Sequence, residues 1–294
     1  MNTPRFSEIF SRFSQLRVAV LGDVCLDRYL EIDPNLDETS IETGLTVFNV
    51  CNVRNQPGAA GTIINNLAAM GVAKIFPVGF CGIDGEGMEL QRALEKISPV
   101  DLRCFLATES RRTFTYTKPL VVAKDSIPRE LNRLDFKNWT PTPSEVWRTL
   151  ITRLREILND IDALIVLDQV DVPNTGVIVE EVLQEIPRLA RARPGLVILA
   201  DSRSRIHNFT SCMLKMNRSE LARIHGQNQL SPDQCEGHAL ALAKKTSNNV
   251  FITLSEDGIL AASPQGDLSR IATFPLRGPI DVVGAGDAVT AALA

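Results

Sequence analysis

Short apolar, β-prone runs alternate with helical stretches along most of this chain, which restricts it to layered α/β folds. Arg17–Leu21, Lys74–Val78, Ala163–Leu167, Leu196–Ala200, Cys212–Met216 and Asn249–Leu254 read as strands. Gly61–Met70, Asp84–Ile97, Pro143–Asn159, Asn174–Ala190, Arg218–His225 and Pro232–Thr246 read as helices. Within Asn174–Ala190, the residues Ile178, Val182, Ile186 and Leu189 fall on one face, a stripe that faces a core. Strands that are apolar throughout belong to a parallel sheet covered by helices on both sides. With 294 residues, 44% of them hydrophobic, the chain can fill that core. No linker, repeat or low-complexity tract divides it, so residues 1–294 read as one domain.

Two segments break the alternation. Residues 28–56 are polar and β-prone, and residues 103–124 contain an alternating strand pattern at Arg112–Ala123. Inserted between β/α units, they read as a small second sheet projecting from the main one, the alternative being an edge hairpin of the main sheet. The net charge of −4 argues against a nucleic-acid partner, and no basic tract marks a membrane surface. No run approaches the ~20 apolar residues of a membrane span, and no apolar leader opens the chain, so a cytoplasmic location is expected. Cys25, Cys51, Cys81, Cys104, Cys212 and Cys235 form no C-x-x-C pair and no zinc spacing. Reduced, part-buried thiols are the expectation.

Asp281-Val282-Val283-Gly284-Ala285-Gly286-Asp287 runs from a Gly-Ala-Gly turn into an Ala-rich helix. Two glycines let the backbone turn tightly and bring its N–H groups close to a ligand. A helix start adds unpaired N–H donors and about half a positive charge, which suits phosphate. A carboxylate in such a place repels phosphate. It makes chemical sense as a base that draws a proton from a hydroxyl while the amides hold the phosphoryl group under attack. The plainer reading is a Gly-rich turn before a buried helix.

This stretch resembles the second signature of the PfkB/ribokinase family of small-molecule kinases, D-x-x-G-A-G-D. The resemblance implies a ribokinase-like three-layer α/β/α domain, with a mainly parallel central sheet and a small β-sheet lid. It implies a carbohydrate kinase that uses ATP and Mg²⁺. Asp287 would then be the catalytic base, Gly284, Ala285 and Gly286 the anion hole, and Asp281 a support for a monovalent cation such as K⁺. Val283 stands where the family often has Thr.

Other segments agree, in order. Gly22-Asp23-Val24-Cys25-Leu26-Asp27-Arg28-Tyr29 is similar to G-D-x-x-x-D-x-Y of bacterial heptose-phosphate kinases in the family, which implies Asp27 and Asp23 as substrate ligands. Pro57-Gly58-Ala59-Ala60-Gly61-Thr62 resembles the first signature, G-G-A-A-N, with Ala59 for the second Gly and Thr62 for the substrate-binding Asn. Gly58, Ala59 and Thr62 are thus substrate candidates. Thr115-Tyr116-Thr117-Lys118 and Arg133-Leu134-Asp135-Phe136 resemble T-x-T-K and R-L-D-F. Lys118, Arg111 or Arg112 would meet a sugar phosphate. The family's S-D-Y-x-K-G is not kept: Leu167-Asp168-Gln169-Val170-Asp171 lacks its Tyr and Lys.

Asp201-Ser202-Arg203 follows a strand like the family's D-P-R/K, and Asn217-Arg218-Ser219-Glu220 matches N-x-x-E. There Asn217 and Glu220 would organise hydrated Mg²⁺, which needs few protein ligands; the same pattern is also a helix capping box. Thr253, Ser255 and Gly258 fall on T-x-G-x-x-G, with Ser255 where Gly is usual, and with Asp201 they make the nucleotide set. No P-loop motif occurs. The chain ends within a helix at Leu293-Ala294, so a further segment completing the nucleotide site is expected. The predicted acceptor is a sugar or sugar phosphate, heptose phosphate-like, with a homodimer formed through the lid. The alternatives are a non-catalytic binding member of the fold and a nucleoside kinase.

Overall fold

The computed structural model describes residues 3–123, 127–274 and 283–294. Helix α1 (Thr3–Arg12) leads to strand β1 (Arg17–Gly22), which passes across Asp23 into β2 (Val24–Ile32). The short β3 (Glu38–Thr39) and β4 (Thr46–Val47) precede β5 (Val50–Ala59), α2 (Ala60–Ala69), β6 (Lys74–Gly82) and α3 (Gly85–Glu95). Next come β7 (Phe105–Thr108), β8 (Thr115–Val121), β9 (Arg129–Glu130) and β10 (Leu134–Phe136). Regular alternation follows: α4 (Ser144–Ile157), β11 (Ala163–Asp168), α5 (Glu180–Ala192), β12 (Val197–Ser202) and β13 (Met213–Asn217). The chain closes with α6 (Arg218–Ile224), α7 (Pro232–Thr246), β14 (Val250–Thr253), β15 (Ile259–Ala262), β16 (Leu268–Ile271) and α8 (Ala285–Leu293).

Among the described residues, the main sheet has nine strands in the order β16-β15-β14-β13-β12-β11-β1-β6-β7. From β14 to β7 neighbours run parallel, and β15 and β16 add an antiparallel edge. Period-2 alternation sorts β1 between the two faces. Val18 and Val20 pack with Ile63, Ile64 and Leu67 of α2, whereas Ala19 and Leu21 face the layer that holds Leu150 and Leu154 of α4. Helix α8 packs against α2 on the first of these faces. The chain leaves β1 toward β6 and β7, then returns to β11 on the other side. That reversal opens a crevice at the carboxyl ends of β1 and β11, where ligands of such sheets bind.

The second sheet covers the crevice. Its strands run β10-β8-β2-β5, with β9 on β8. Strand β2 pairs antiparallel with β5 and parallel with β8. This is the expected lid, with its second segment redrawn. Phe105–Thr108 joins the edge of the main sheet instead, beside β6, and the lid extends past residue 124 to Leu134–Phe136. Helix α5 also starts later than Asn174. Asn174 has φ +62°, and its Oδ1 accepts from Glu180 N at 3.0 Å, so residues 174–179 form a turn ahead of the helix. Strands β15 and β16 and helix α1 lie outside the expected set. All six cysteines are free thiols, and five are buried. Among the described residues, no helix is long and apolar enough to cross a membrane.

Candidate active site

Gly284 begins α8 at φ +79°, a left-handed conformation that a glycine adopts without strain. It sits beside α2, since a Cβ on Gly284 would stand 3.4 Å from Thr62 Cγ2. The starts of α2 and α8 therefore meet at one point, and two helix N-termini favour negative charge there. The same crevice is lined by Asp27, Ala59, Thr62, Lys118, Gly284 and Asp287, with a volume of about 390 Å³. Six residues from four distant segments, each expected at a substrate or catalytic position, are thus brought together.

Asp287 follows Gly286 in the first turn of α8. Burial pushes its carboxyl up to about 6, with the Asp201 charge adding to the effect and Lys215 and Arg203 opposing it. Asp27 lies across the crevice on β2. Lys118 Nζ stands 3.3 Å from Asp27 Oδ2 and donates to the Tyr29 hydroxyl at 3.2 Å. Burial works against the Lys118 charge, but Asp27 and Tyr29 outweigh it and raise the pKa. The glycine before Ala59 has a steric reason: a Cβ on Gly58 would stand 2.7 Å from the Asp27 carboxylate. Gly58 thus passes behind Asp27 and shapes the site without lining it.

Ala59 caps α2 at φ +53° and ψ −117°, a region that favours glycine. Ser255 has φ +54°. Both stand where the family signatures carry Gly, and at both the backbone has kept the glycine conformation. Gly258, at φ +92°, closes the turn after β14, where Leu254 N donates to Gly258 O at 2.8 Å.

Several expected residues have other work. Asp23 is buried and outside the crevice: its Oδ1 accepts from Val177 N at 2.6 Å and its Oδ2 from Gln169 N at 3.4 Å. Burial raises its pKa to about 7. Gly176 closes over it, because a Cβ there would fall 2.4 Å from Asp23 Oδ1. Arg111 is buried and donates to the carbonyls of Thr140, Pro141 and Thr175. Arg112 pairs with Asp84 and Glu86. Neither arginine lines the crevice, which corrects their expected contact with a sugar phosphate. Asp201 turns its carboxylate Oδ2 to Lys215 and Thr290.

Asn217 and Glu220 form a reciprocal capping box at the start of α6: Glu220 N donates to Asn217 Oδ1 at 2.8 Å, and Asn217 N donates to Glu220 Oε2 at 2.7 Å. Burial raises the Glu220 carboxyl. Glu220 lines an adjoining cavity of about 440 Å³, and Arg203 lines both cavities. Among the described residues, no group of three His, Cys, Asp or Glu could hold a metal ion. Mg²⁺ bound through water and nucleotide phosphates needs no such cluster, and two capped polar side chains fit that mode. Asp281, expected at a monovalent cation, lies outside the described residues.

The crevice also has a basic wall that motif matching did not single out. Arg133 and Lys137 reach it from the residues that flank β10, and Arg203 reaches it from the end of β12. Arg133 chelates Asp135 at 2.7 and 2.8 Å. Lys137 Nζ lies 4.0 Å from Asp171 Oδ2, the position of the Lys in the family's S-D-Y-x-K-G. The sequence signals were the R-L-D-F segment and the Asp201-Ser202-Arg203 segment, and neither said which way its arginine would face. Asp168, the acid of that lost motif, is buried and bonded to Arg205 at 2.7 Å and to Ser202 at 2.7 Å, which fixes the loop that carries Arg203.

Comparison with known proteins agrees with the fold. The protein named bifunctional protein HldE in Trichlorobacter lovleyi is 30% identical over 302 residues, which covers all of this chain and 57% of that protein. The one of the same name in Helicobacter hepaticus is 26% identical over 281 residues, 94% of this chain and 55% of that protein. The chain thus spans little more than half the length of these curated relatives. Arabidopsis thaliana ribokinase, solved with ribose and ATP, shares the fold at a TM-score of 0.65 and 16% identity, over 94% of this chain and 84% of that one. The profile of the pfkB family carbohydrate kinases matches residues 16–294, and the chain belongs to that family.

Proposed function

We propose that the protein transfers the γ-phosphoryl group of ATP to a hydroxyl of a sugar phosphate held between the lid and the main sheet. The observation that carries this reading is Asp287, a carboxyl with its pKa raised to about 6, at the start of α8 and in one crevice with Asp27 and Lys118. In the step proposed, Asp287 takes the hydroxyl proton as the oxygen forms its bond to the γ-phosphorus. The bond to the bridging oxygen breaks, and its electron pair leaves with ADP. The amides of Gly284, Ala285 and Gly286 face the charge on the transferring group. Mg²⁺ would neutralise phosphate charge, with Asn217 and Glu220 holding its water shell, since phosphoryl transfer depends on positioning and electrostatics. Thr253, Ser255 and Gly258 are assigned to the nucleotide, and Asp281 to a monovalent cation such as K⁺.

The finer acceptor is a heptose phosphate-like sugar. The segments carrying Asp27, Lys118 and Arg133 resemble those of heptose-phosphate kinases, and Lys118, Arg133, Lys137 and Arg203 line the crevice as cations. Asp27 would accept hydrogen bonds from sugar hydroxyls. The outer lid exposes Ile41, Leu45, Phe48, Val50 and Val53, an apolar surface that suits a second copy of the chain. The test is ADP release with ATP, Mg²⁺ and K⁺ over sugars, sugar phosphates and nucleosides. Turnover with a sugar phosphate that is lost in Asp287→Asn supports the reading. Sugar binding without ADP release, or preference for adenosine, would sink it.

A further inference from the structure

Beneath the start of α8 lies a buried ion pair. Lys215 on β13 sets its Nζ 2.8 Å from Asp201 Oδ2 at the end of β12, and both side chains are only 7% exposed. Thr290, one turn into α8, donates its hydroxyl to the same oxygen at 2.8 Å and lies 3.0 Å from Gly286 O. A Cβ on Gly286 would stand 3.1 Å from Lys215 Nζ. The ammonium therefore rests against the Gly-Ala-Gly turn itself.

A buried ion pair is a weak stabiliser, because desolvation of both charges offsets their attraction. Such a charge acts strongly on other charge nearby, because water does not screen it there. Asp201 alone would work against an anion at this turn. An ammonium set against Gly286 offsets that negative charge at the turn, and an ammonium has three donors of which the Asp201 contact uses one.

We infer that Lys215 supplies the fixed positive charge of the anion hole at the start of α8, held in place by Asp201 and Thr290. The inference rests on the phosphoryl-transfer reading of the crevice. Lys215 acts on the transferring group through its place behind Gly286, so it is a positioning residue, while Asp287 remains the group that meets the hydroxyl.

Two variants separate this role from simple neutralisation of Asp201. Lys215→Gln keeps a hydrogen-bond donor for Asp201 without the charge. The double variant Lys215→Met/Asp201→Asn removes both charges and keeps a similar volume. Each is checked for a cooperative thermal transition, and its KM for the sugar is measured alongside kcat. The expected result is an unchanged sugar KM with kcat lower by ~10²–10³, the usual loss for a missing oxyanion stabiliser. A folded variant of either kind with kcat within about threefold of wild type, well short of that loss, overturns the inference. A parallel loss of sugar affinity overturns it too, since it assigns Lys215 to the packing of α8. Wild-type protein that releases no ADP with any sugar phosphate overturns instead the kinase reading beneath it.

Discussion

Val177 N–H donates a 2.6 Å hydrogen bond to Asp23 Oδ1, tying the end of β1 to a loop 154 residues further along the chain. Asp23→Ala leaves that buried donor without a partner and should cost about 1–3 kcal/mol, read as a lower urea midpoint. The pH dependence has a definite sign. Burial raises the folded pKa of Asp23 to about 7, so its contribution is fully present below the unfolded value of about 4 and is lost as pH rises through 7. Asp23→Asn cannot ionise. Its stability relative to wild type should therefore improve between pH 5 and pH 8, and a constant difference across that range would refute the buried-acid account.

Catalysis should show a second acid. With Asp287 raised to about 6 by burial, the base is lost to protonation at a higher pH than an ordinary carboxylate would be. The expected profile of kcat/KM falls about tenfold per unit below pH 6. Asp287→Asn should lower kcat by roughly 10²–10⁴ and remove this limb. A flat profile down to pH 5 would count against Asp287.

Ala59 offers a test of backbone strain. At φ +53° and ψ −117° it holds a conformation suited to glycine. Ala59→Gly should relieve that strain and stabilise the fold by about 1 kcal/mol, although Gly also adds freedom to the unfolded chain. Thermal denaturation of the two proteins decides the matter, and a lower midpoint for the glycine variant would show that Ala59 is unstrained.

The basic wall should discriminate among acceptors. Lys137→Ala removes a cation that faces the crevice without touching Asp287, so it should raise KM about tenfold for a phosphorylated sugar and little for its unphosphorylated counterpart. An equal change for both would mean that Lys137 serves only its ion pair with Asp171.

What the sequence revealed depended on how local the signal was. The Gly-Ala-Gly turn, the capping box at Asn217 and helix α7 are written in consecutive residues, and they appear where expected. The buried strands of the main sheet were legible for the same reason. Asp23 was misread because its partner, Val177, lies far away in the sequence, and a Gly-Asp after a strand looks the same whether the acid faces ligand or backbone. Arg111 and Arg112 were misread because adjacent charges at a lid base carry no sign of direction: one enters the core and the other pairs with α3. The far wall of the crevice, Arg133 and Lys137, depended on a lid boundary placed too early. Lys215 was visible only as a residue of β13, since its meaning lies in the distance to Gly286.

The passage from β1 into β2 with only Asp23 between them has a mechanical consequence. A single continuous beam runs from the middle of the main sheet into the middle of the second one, and Asp23 is its anchored fulcrum. Cys25, Asp27 and Tyr29 ride on the free arm, while Lys118 travels beside them on the parallel β8. Any tilt of that arm carries Asp27 and Tyr29 with it, so the mouth of the crevice cannot change shape and leave its polar lining unchanged.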